Sequence, residues 1–333
     1  MKHVNSMKIS VFAVTLAVAA ACTGSKSQTV EKCKNTVADS AKVSVVYFTK
    51  NITPEGLMSV YQALNKQLTG SVAVKISTGE AGNHHYLSPD LIKNLVQSLN
   101  GTIVECNTAY GGSRGATAEH RKVAEDHGFT AIANVDIMDE NGFVALPFPK
   151  GKHIQEDFVG ANFKNYDSWL ILSHFKGHQM GGFGGALKNM SIGIASSEGK
   201  AWIHSAGRAK TFPIKDWGLA SQNEFLESMA EAAGAVMNSI GDNAAYVNVM
   251  NHLSVDCDCN GNPTPPEMDD IGILASLDPV ALDKACVDLI YSSDTQRSRT
   301  IRERIESRNA VQILIYAEEL GLGGQKYKLV EIK

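Results

Sequence analysis

The chain has 333 residues, 44% of them apolar, and carries a net charge of −4 with the two signs interspersed. That is enough apolar material for one large core or two modest ones. With no basic stripe and an aromatic content of only 7%, a nucleic-acid surface built on charge or base stacking is excluded, and no nucleic-acid partner is expected.

The first residues depart from this average. Lys2 and Lys8 precede the uncharged apolar run Ile9 to Ala21. This run is shorter than the ~20 residues that span a bilayer, so residues 1–21 read as a signal peptide. It ends in Ala19-Ala20-Ala21-Cys22, followed by a polar stretch. That is a lipoprotein-type pattern, with lipidation at Cys22 and a tether over residues 22–41. Ala19 stands where Leu is usual, and ordinary secretory cleavage nearby is the competing reading. Both readings export the protein; lipid would anchor it to a membrane, in the periplasm or at the cell surface. Setting Cys22 aside, Cys33, Cys106, Cys257, Cys259 and Cys286 remain. An odd remainder in an oxidising compartment implies a free or metal-bound thiol. Cys106 closes a strand-like run and Cys286 lies in the helical pattern Val280 to Ile290, so both read as core, while Cys33 has no evident role.

From Lys42 onward, short β-branched runs alternate with amphipathic stretches. Val43 to Phe48 predicts a strand, Pro54 to Leu68 a helix, and Ser71 to Ile76 a second strand. Ser88 caps a helix over Asp90 to Leu99. Thr102 to Cys106 is a third strand, and Ala116 to His127 a helix ended by Gly128. This order predicts an α/β fold over residues 42–333: a mainly parallel, doubly wound sheet with helices on both faces. Residues 132–160 are less regular, with a strand at Phe143 to Phe148 amid Pro147, Pro149 and Gly151. They suggest lobes at 42–150 and 160–333. Trp169 to Leu172 reads as a buried strand, residues 199–216 as loop, Gln222 to Ile240 as a helix and Ala245 to Met250 as a strand. Ile271 to Leu277 leads into a helix opened by Asp278-Pro279. Ala310 to Leu320 is the last helix, and Tyr327 to Ile332 closes as a strand.

The densest chemistry lies between Ser173 and Met190, in Ser-His-Phe-Lys-Gly-His-Gln-Met-Gly-Gly-Phe-Gly-Gly-Ala-Leu-Lys-Asn-Met. Gly181, Gly182, Gly184 and Gly185 would expose backbone N–H groups at a helix start, where a phosphate or carboxylate is favoured. Lys176 and Lys188 add full charges, with Asn189 beside them. The spacing matches neither the Walker loop nor the dinucleotide fingerprint, so an anionic small molecule is the expected ligand without a closer name. The competing reading is glycines that only permit close strand–helix packing. His174 and His178, with His204 from the next loop, suit metal ligation or acid–base work.

A second constellation, Asp256-Cys257-Asp258-Cys259, also follows a strand, at the edge where open α/β sheets bind ligands. A disulfide between Cys257 and Cys259 reads as badly strained. Metal thiolates, bridges to other cysteines and free thiols are the options that remain. Glu80, His84 and His85 follow one strand, and Tyr110 and Arg114 follow another, where they could orient an anion as readily as serve in surface loops.

Several motifs together resemble the domain of unknown function 362 family. They are Tyr110-Gly-Gly-Ser-Arg114, Ser173 to His178, Gly182 to Asn189, Cys257-Asp-Cys259, Asp270 to Asp283 and Tyr316 to Gly323. The family is often described as an iron–sulfur centre protein because many members carry an inserted ferredoxin-type module with Cys-x-x-Cys runs. Residues 199–221 contain no cysteine, so no ferredoxin-type iron–sulfur cluster is expected. What the resemblance leaves is the α/β body and its two sites.

The leading expectation is a composite site. His174, His178, Cys257 and Cys259 hold a divalent transition metal, zinc or iron. Lys176, Lys188, Gly182, Gly184, Gly185, Asn189, Tyr110 and Arg114 hold an anionic substrate, with Lys188 and His204 as catalytic groups. The family's iron–sulfur associations lean towards redox or isomerase chemistry. A non-catalytic lipoprotein that captures an anionic small molecule is the alternative, and a docking surface at the membrane a third.

Overall fold

The β-branched runs and capped amphipathic stretches become an alternation of strands and helices in the computed structural model, which describes residues 43–211 and 218–333. The leader, Cys22, the tether and Cys33 lie outside the described residues. In chain order the elements are β1 (Ser44–Thr49), α1 (Pro54–Ala63), β2 (Val72–Lys75), α2 (Pro89–Ser98), β3 (Thr102–Glu105), α3 (Thr117–Asp126), β4 (Val135–Ile137), β5 (Phe143–Pro147) and β6 (Glu156–Gly160). Then come β7 (Ser168–His174), β8 (Lys176–His178), β9 (Gly182–Gly184), α4 (Ala186–Ile194), α5 (Ser197–His204), α6 (Gln222–Ile240) and β10 (Ala244–Met250). The chain closes with β11 (Gly272–Ser276), α7 (Pro279–Ser292), α8 (Arg299–Ser307), α9 (Gln312–Glu319) and β12 (Tyr327–Glu331). No helix among these residues is long and apolar enough to cross a membrane.

Local chemistry accounts for most helix starts. Thr53 accepts from the Gly56 N–H, Ser88 from Asp90 and Asp278 from Val280 and Ala281, each ahead of a proline in the first turn. Ser221 and Glu224 form a capping box on α6. Two expectations change. The first helix stops at Ala63 rather than Leu68, with Asn65 in the left-handed region at φ 47°. The loop expected from residue 199 begins as helix α5, because Ser196 caps it by accepting from the Gly199 N–H.

One sheet takes strands from both sides of the 150–160 stretch, in the order β12-β1-β11-β10-β7-β2-β3-β4. All neighbours pair parallel except β11, which runs against both β1 and β10. Successive strand residues point to opposite faces. Ala73, Val104 and Ile171 join the core under α4, α6 and α7, whereas Val74, Ile103 and Leu170 join the one under α1 and α2. From β2 the chain winds outward through β3 and β4, then returns to β7 on the other side of β2 and moves away through β10. The strand order therefore reverses between β2 and β7, where a doubly wound sheet opens a crevice at its carboxyl ends.

Candidate functional site

That crevice is a cavity of about 830 Å³, lined by the segments that follow β2, β3, β7 and β10 and by α4 and α5. Its wall carries Lys75, Arg114, Lys176, Lys188 and Lys200 against Glu80, Glu105, Asp256 and Asp258. The cations differ in what holds them. Lys75, 2% exposed in β2, donates to the Ile76 carbonyl and to Asn189 Oδ1 at 3.0 Å, and burial pushes it down to about 8. Lys176 donates to Asp258 at 2.9 Å and to the His85 carbonyl at 3.1 Å. The Lys188 ammonium has no hydrogen bond or ion pair among the described residues, and burial pushes it down to about 8 as well.

β8 brings the two sequence constellations together. Gly177 donates its N–H to the Ser254 carbonyl at 2.9 Å, so closely that a Cβ there would lie 2.4 Å from the Val255 carbonyl oxygen. This registers His178 against the Cys-Asp-Cys turn, and His178, Cys257 and Cys259 offer ligand atoms within 4.8 Å of one another, a group that could hold a metal ion. The two sulfurs are joined as a disulfide, contrary to the sequence expectation. The turn closed by the Asn260 N–H on the Cys257 carbonyl leaves the two Cα atoms 5.2 Å apart, within the span a disulfide requires. His178 Nδ1 accepts the Gly181 N–H at 2.8 Å. Burial, then Lys188 and His204, hold its ring well below the usual histidine range, and hence neutral.

His174 is a correction. Its Nδ1 faces Asp258 at 3.0 Å and its Nε2 the Asn251 carbonyl at 2.7 Å. Both nitrogens are thus taken up by partners within the chain, and the group that could hold a metal ion does not include His174. Although burial opposes it, His174 and Lys176 hold the Asp258 carboxyl well below the usual carboxylate range.

The glycine-rich helix start is corrected too. Asp283 of α7 reaches across to accept the Ala186 N–H at 2.7 Å and the Leu187 N–H at 3.0 Å, so the amides expected to bind an anion already hold the protein's own carboxylate. Gly185 leaves room for it: a Cβ would lie 2.3 Å from Asp283 Oδ1. Gly182, at φ +81°, packs against Ala310 and does not line the cavity; Gly184 does. Asn189 ties β2 to β7, donating to the Lys75 and Leu172 carbonyls and to Ser173 Oγ. Its amide is thereby engaged within the fold.

The opposite wall follows β3. Glu105 accepts from Arg114 at 3.1 Å, from the Thr78 N–H at 3.0 Å and from His120 at 3.1 Å. Against the effect of burial, Arg114 and His120 hold its carboxyl well below the usual range. Tyr110 donates to Glu80 at 3.0 Å and accepts from Arg114 at 3.1 Å. Arg114 thus reaches the cavity already paired with carboxylates. His204 lines the cavity, donates from Nδ1 to the Lys200 carbonyl at 2.7 Å and stacks on Phe225. Burial pushes it down to about 4. Cys106 and Cys286 are buried and free of disulfide, as expected.

Sequence reasoning passed over Lys75, Glu105 and Asp283. A lysine in the short apolar strand Val72–Lys75 was the readable signal for the first. Nothing local marks Asp283 as a cap for a helix almost a hundred residues earlier.

Comparison with known proteins agrees with the resemblance in the motifs. The family described as Domain of unknown function (DUF362) matches residues 72–288. No curated protein matches the chain. Among solved structures, the lactate racemase apoprotein from Thermoanaerobacterium thermosaccharolyticum has 16% sequence identity, covering 61% of this chain and 50% of that chain with a TM-score of 0.36. A protein from Thermotoga maritima has 12% identity, covering 77% of this chain and 58% of that chain with a TM-score of 0.39. The chain spans half the length of the first and 58% of the second.

Proposed function

The chain belongs to the domain of unknown function 362 family, and from that premise we propose that it is an exported protein that binds an anionic small molecule at Lys188. Beside this anchor, His178, Cys257 and Cys259 would take up zinc or iron when the cysteines are reduced. The observation that carries the reading is Lys188 itself, a cation with no carboxylate partner among the described residues, opening on a cavity at the sheet's switch point. Held near 8, it can fix an anion as the ammonium and also exchange a proton near neutrality.

Two sulfurs and an imidazole suit zinc or iron better than magnesium or calcium. Such an ion supplies Lewis acidity towards a substrate carbonyl. Uptake has two requirements in this chain: the disulfide must be reduced, and the His178 ring must release the Gly181 N–H. His204 presents a neutral ring to the cavity as a second proton-exchanging group, in a redox or isomerase reaction. The disulfide also favours a second reading, a non-catalytic binder whose cysteines stay oxidised. The pattern ending at Cys22 supports export and a lipid anchor.

Sulfate binding measured by calorimetry tests the anion site, because sulfate keeps its charge across the relevant pH range. Lys188→Met should weaken binding about 10-fold or more, the loss of one charged hydrogen-bonding partner. In the parent protein, affinity should fall as pH rises through about 8, where Lys188 loses its proton. Equal affinity in the variant, or a flat pH profile, would remove Lys188 as the anchor.

A further inference from the structure

The cavity wall formed by the segments after β2 and β3 holds three buried polar atoms without a hydrogen-bond partner: Glu80 Oε1, Thr108 Oγ1 and Arg114 Nε. All three residues line the same cavity and are 6%, 5% and 4% exposed. Buried polar atoms in folded proteins are nearly always satisfied, so three orphans on one wall mark a place for a molecule from outside the chain. Their positions are fixed: the Glu80 N–H donates to the Asp258 carbonyl at 2.8 Å, and the Thr108 N–H to the Arg114 carbonyl at 2.9 Å.

Charge narrows what that molecule offers here. Arg114 sits between Glu80 and Glu105, so its charge is answered and a further anion gains little on this wall. What remains unmet is an acceptor on Glu80 and a donor on Arg114, side by side. A hydroxyl satisfies both at once, donating to one and accepting from the other. The protein already does this with its own side chain: the Tyr110 hydroxyl donates to Glu80 Oε2 and accepts from Arg114. Thr108 Oγ1 offers a place for a second hydroxyl.

Building on the anion site at Lys188, we infer that the ligand is a polyhydroxylated anion, a sugar phosphate or sugar acid, whose hydroxyls occupy the Glu80–Thr108–Arg114 wall. The cavity of about 830 Å³ is far larger than a bare oxyanion needs and lies within the range of small-molecule sites.

The test is calorimetry on the full mature chain with glucose 6-phosphate and glucuronate, set against inorganic phosphate and acetate. At least one sugar anion should bind about 10-fold tighter than its bare counterpart, and the stronger of the two identifies phosphate or carboxylate as the charged group. Thr108→Val, which keeps the side-chain shape, should lower that ratio and leave bare-anion affinity unchanged. Thr108→Ala provides a second variant with the same expectation, and circular dichroism verifies the fold of each. A ratio near one with bare anions still bound would overturn the hydroxyl wall alone and assign the orphan atoms to water. Binding of neither class would overturn the Lys188 site as well.

Discussion

Lys75, Lys176 and Lys188 line one cavity, yet only their partners reveal their work. Lys75 is spent on Asn189 and a backbone carbonyl, and Lys176 on Asp258. The same logic separates the histidines, since His174 is held between Asp258 and the Asn251 carbonyl while His178 stands beside the sulfurs. Cys257 and Cys259 cannot be a disulfide and two thiolates at once. Reduction adds two electrons and two protons across the bond, and metal binding then releases protons from the thiols. Zinc uptake should therefore be negligible in the oxidised protein and approach about one equivalent after reduction by a phosphine. The Cys257→Ser/Cys259→Ser variant should lack uptake in both states. Elemental analysis after desalting reads the difference, and equal zinc in the oxidised and reduced parent would show that the sulfurs are not ligands.

At the scale of elements, two short pieces place the chemistry. β8 lies against residues 254–255 only because position 177 has no side chain. Gly177→Ala would force the strand and the Val255 carbonyl apart and carry His178 away from the sulfurs. Zinc affinity of the reduced protein should fall about 10-fold, as for other residues that position a ligand without being one. Because the clash is with backbone, the melting temperature should fall as well, and unchanged affinity would mean that β8 does not set the ligand geometry. α4 is the other piece. With Asp283 on its first amides and Asn189 tied to β2 and β7, it is anchored at both its start and its middle. It therefore presents Lys188 from a fixed position.

Across the whole molecule, stability should carry the signature of a buried carboxyl. Asp157 of β6 is fully buried, and burial pushes it up to about 7, with the Phe158 N–H and Lys200 offsetting only part. The folded state then keeps a proton that the unfolded chain releases near the ordinary value of 3.8. Stability on this account is greatest below about 4 and falls as pH rises through about 7, by at most roughly 4 kcal/mol. Asp157→Asn keeps the Phe158 contact and removes the penalty. Urea unfolding should show the variant gaining on the parent between pH 5 and pH 8. A difference that stays constant with pH would mean that Asp157 is ionised in the fold.

The alternation of β-branched runs and capped helices was enough for the doubly wound sheet, and the apolar settings of Cys106 and Cys286 were enough for their burial. Both are local properties, carried by neighbours in sequence. The crowding of glycine, histidine and lysine after β7 likewise marked the cavity's place, because a strand's carboxyl end is where such residues collect. The partners were decided elsewhere. Asp283 arrives at the α4 amides, Asp258 at His174, and Glu80 beside Arg114 only once the strands take their order in the sheet. A sequence displays donors and acceptors along one line. The tertiary structure alone decides which of them meet, and so which are left to hold a ligand.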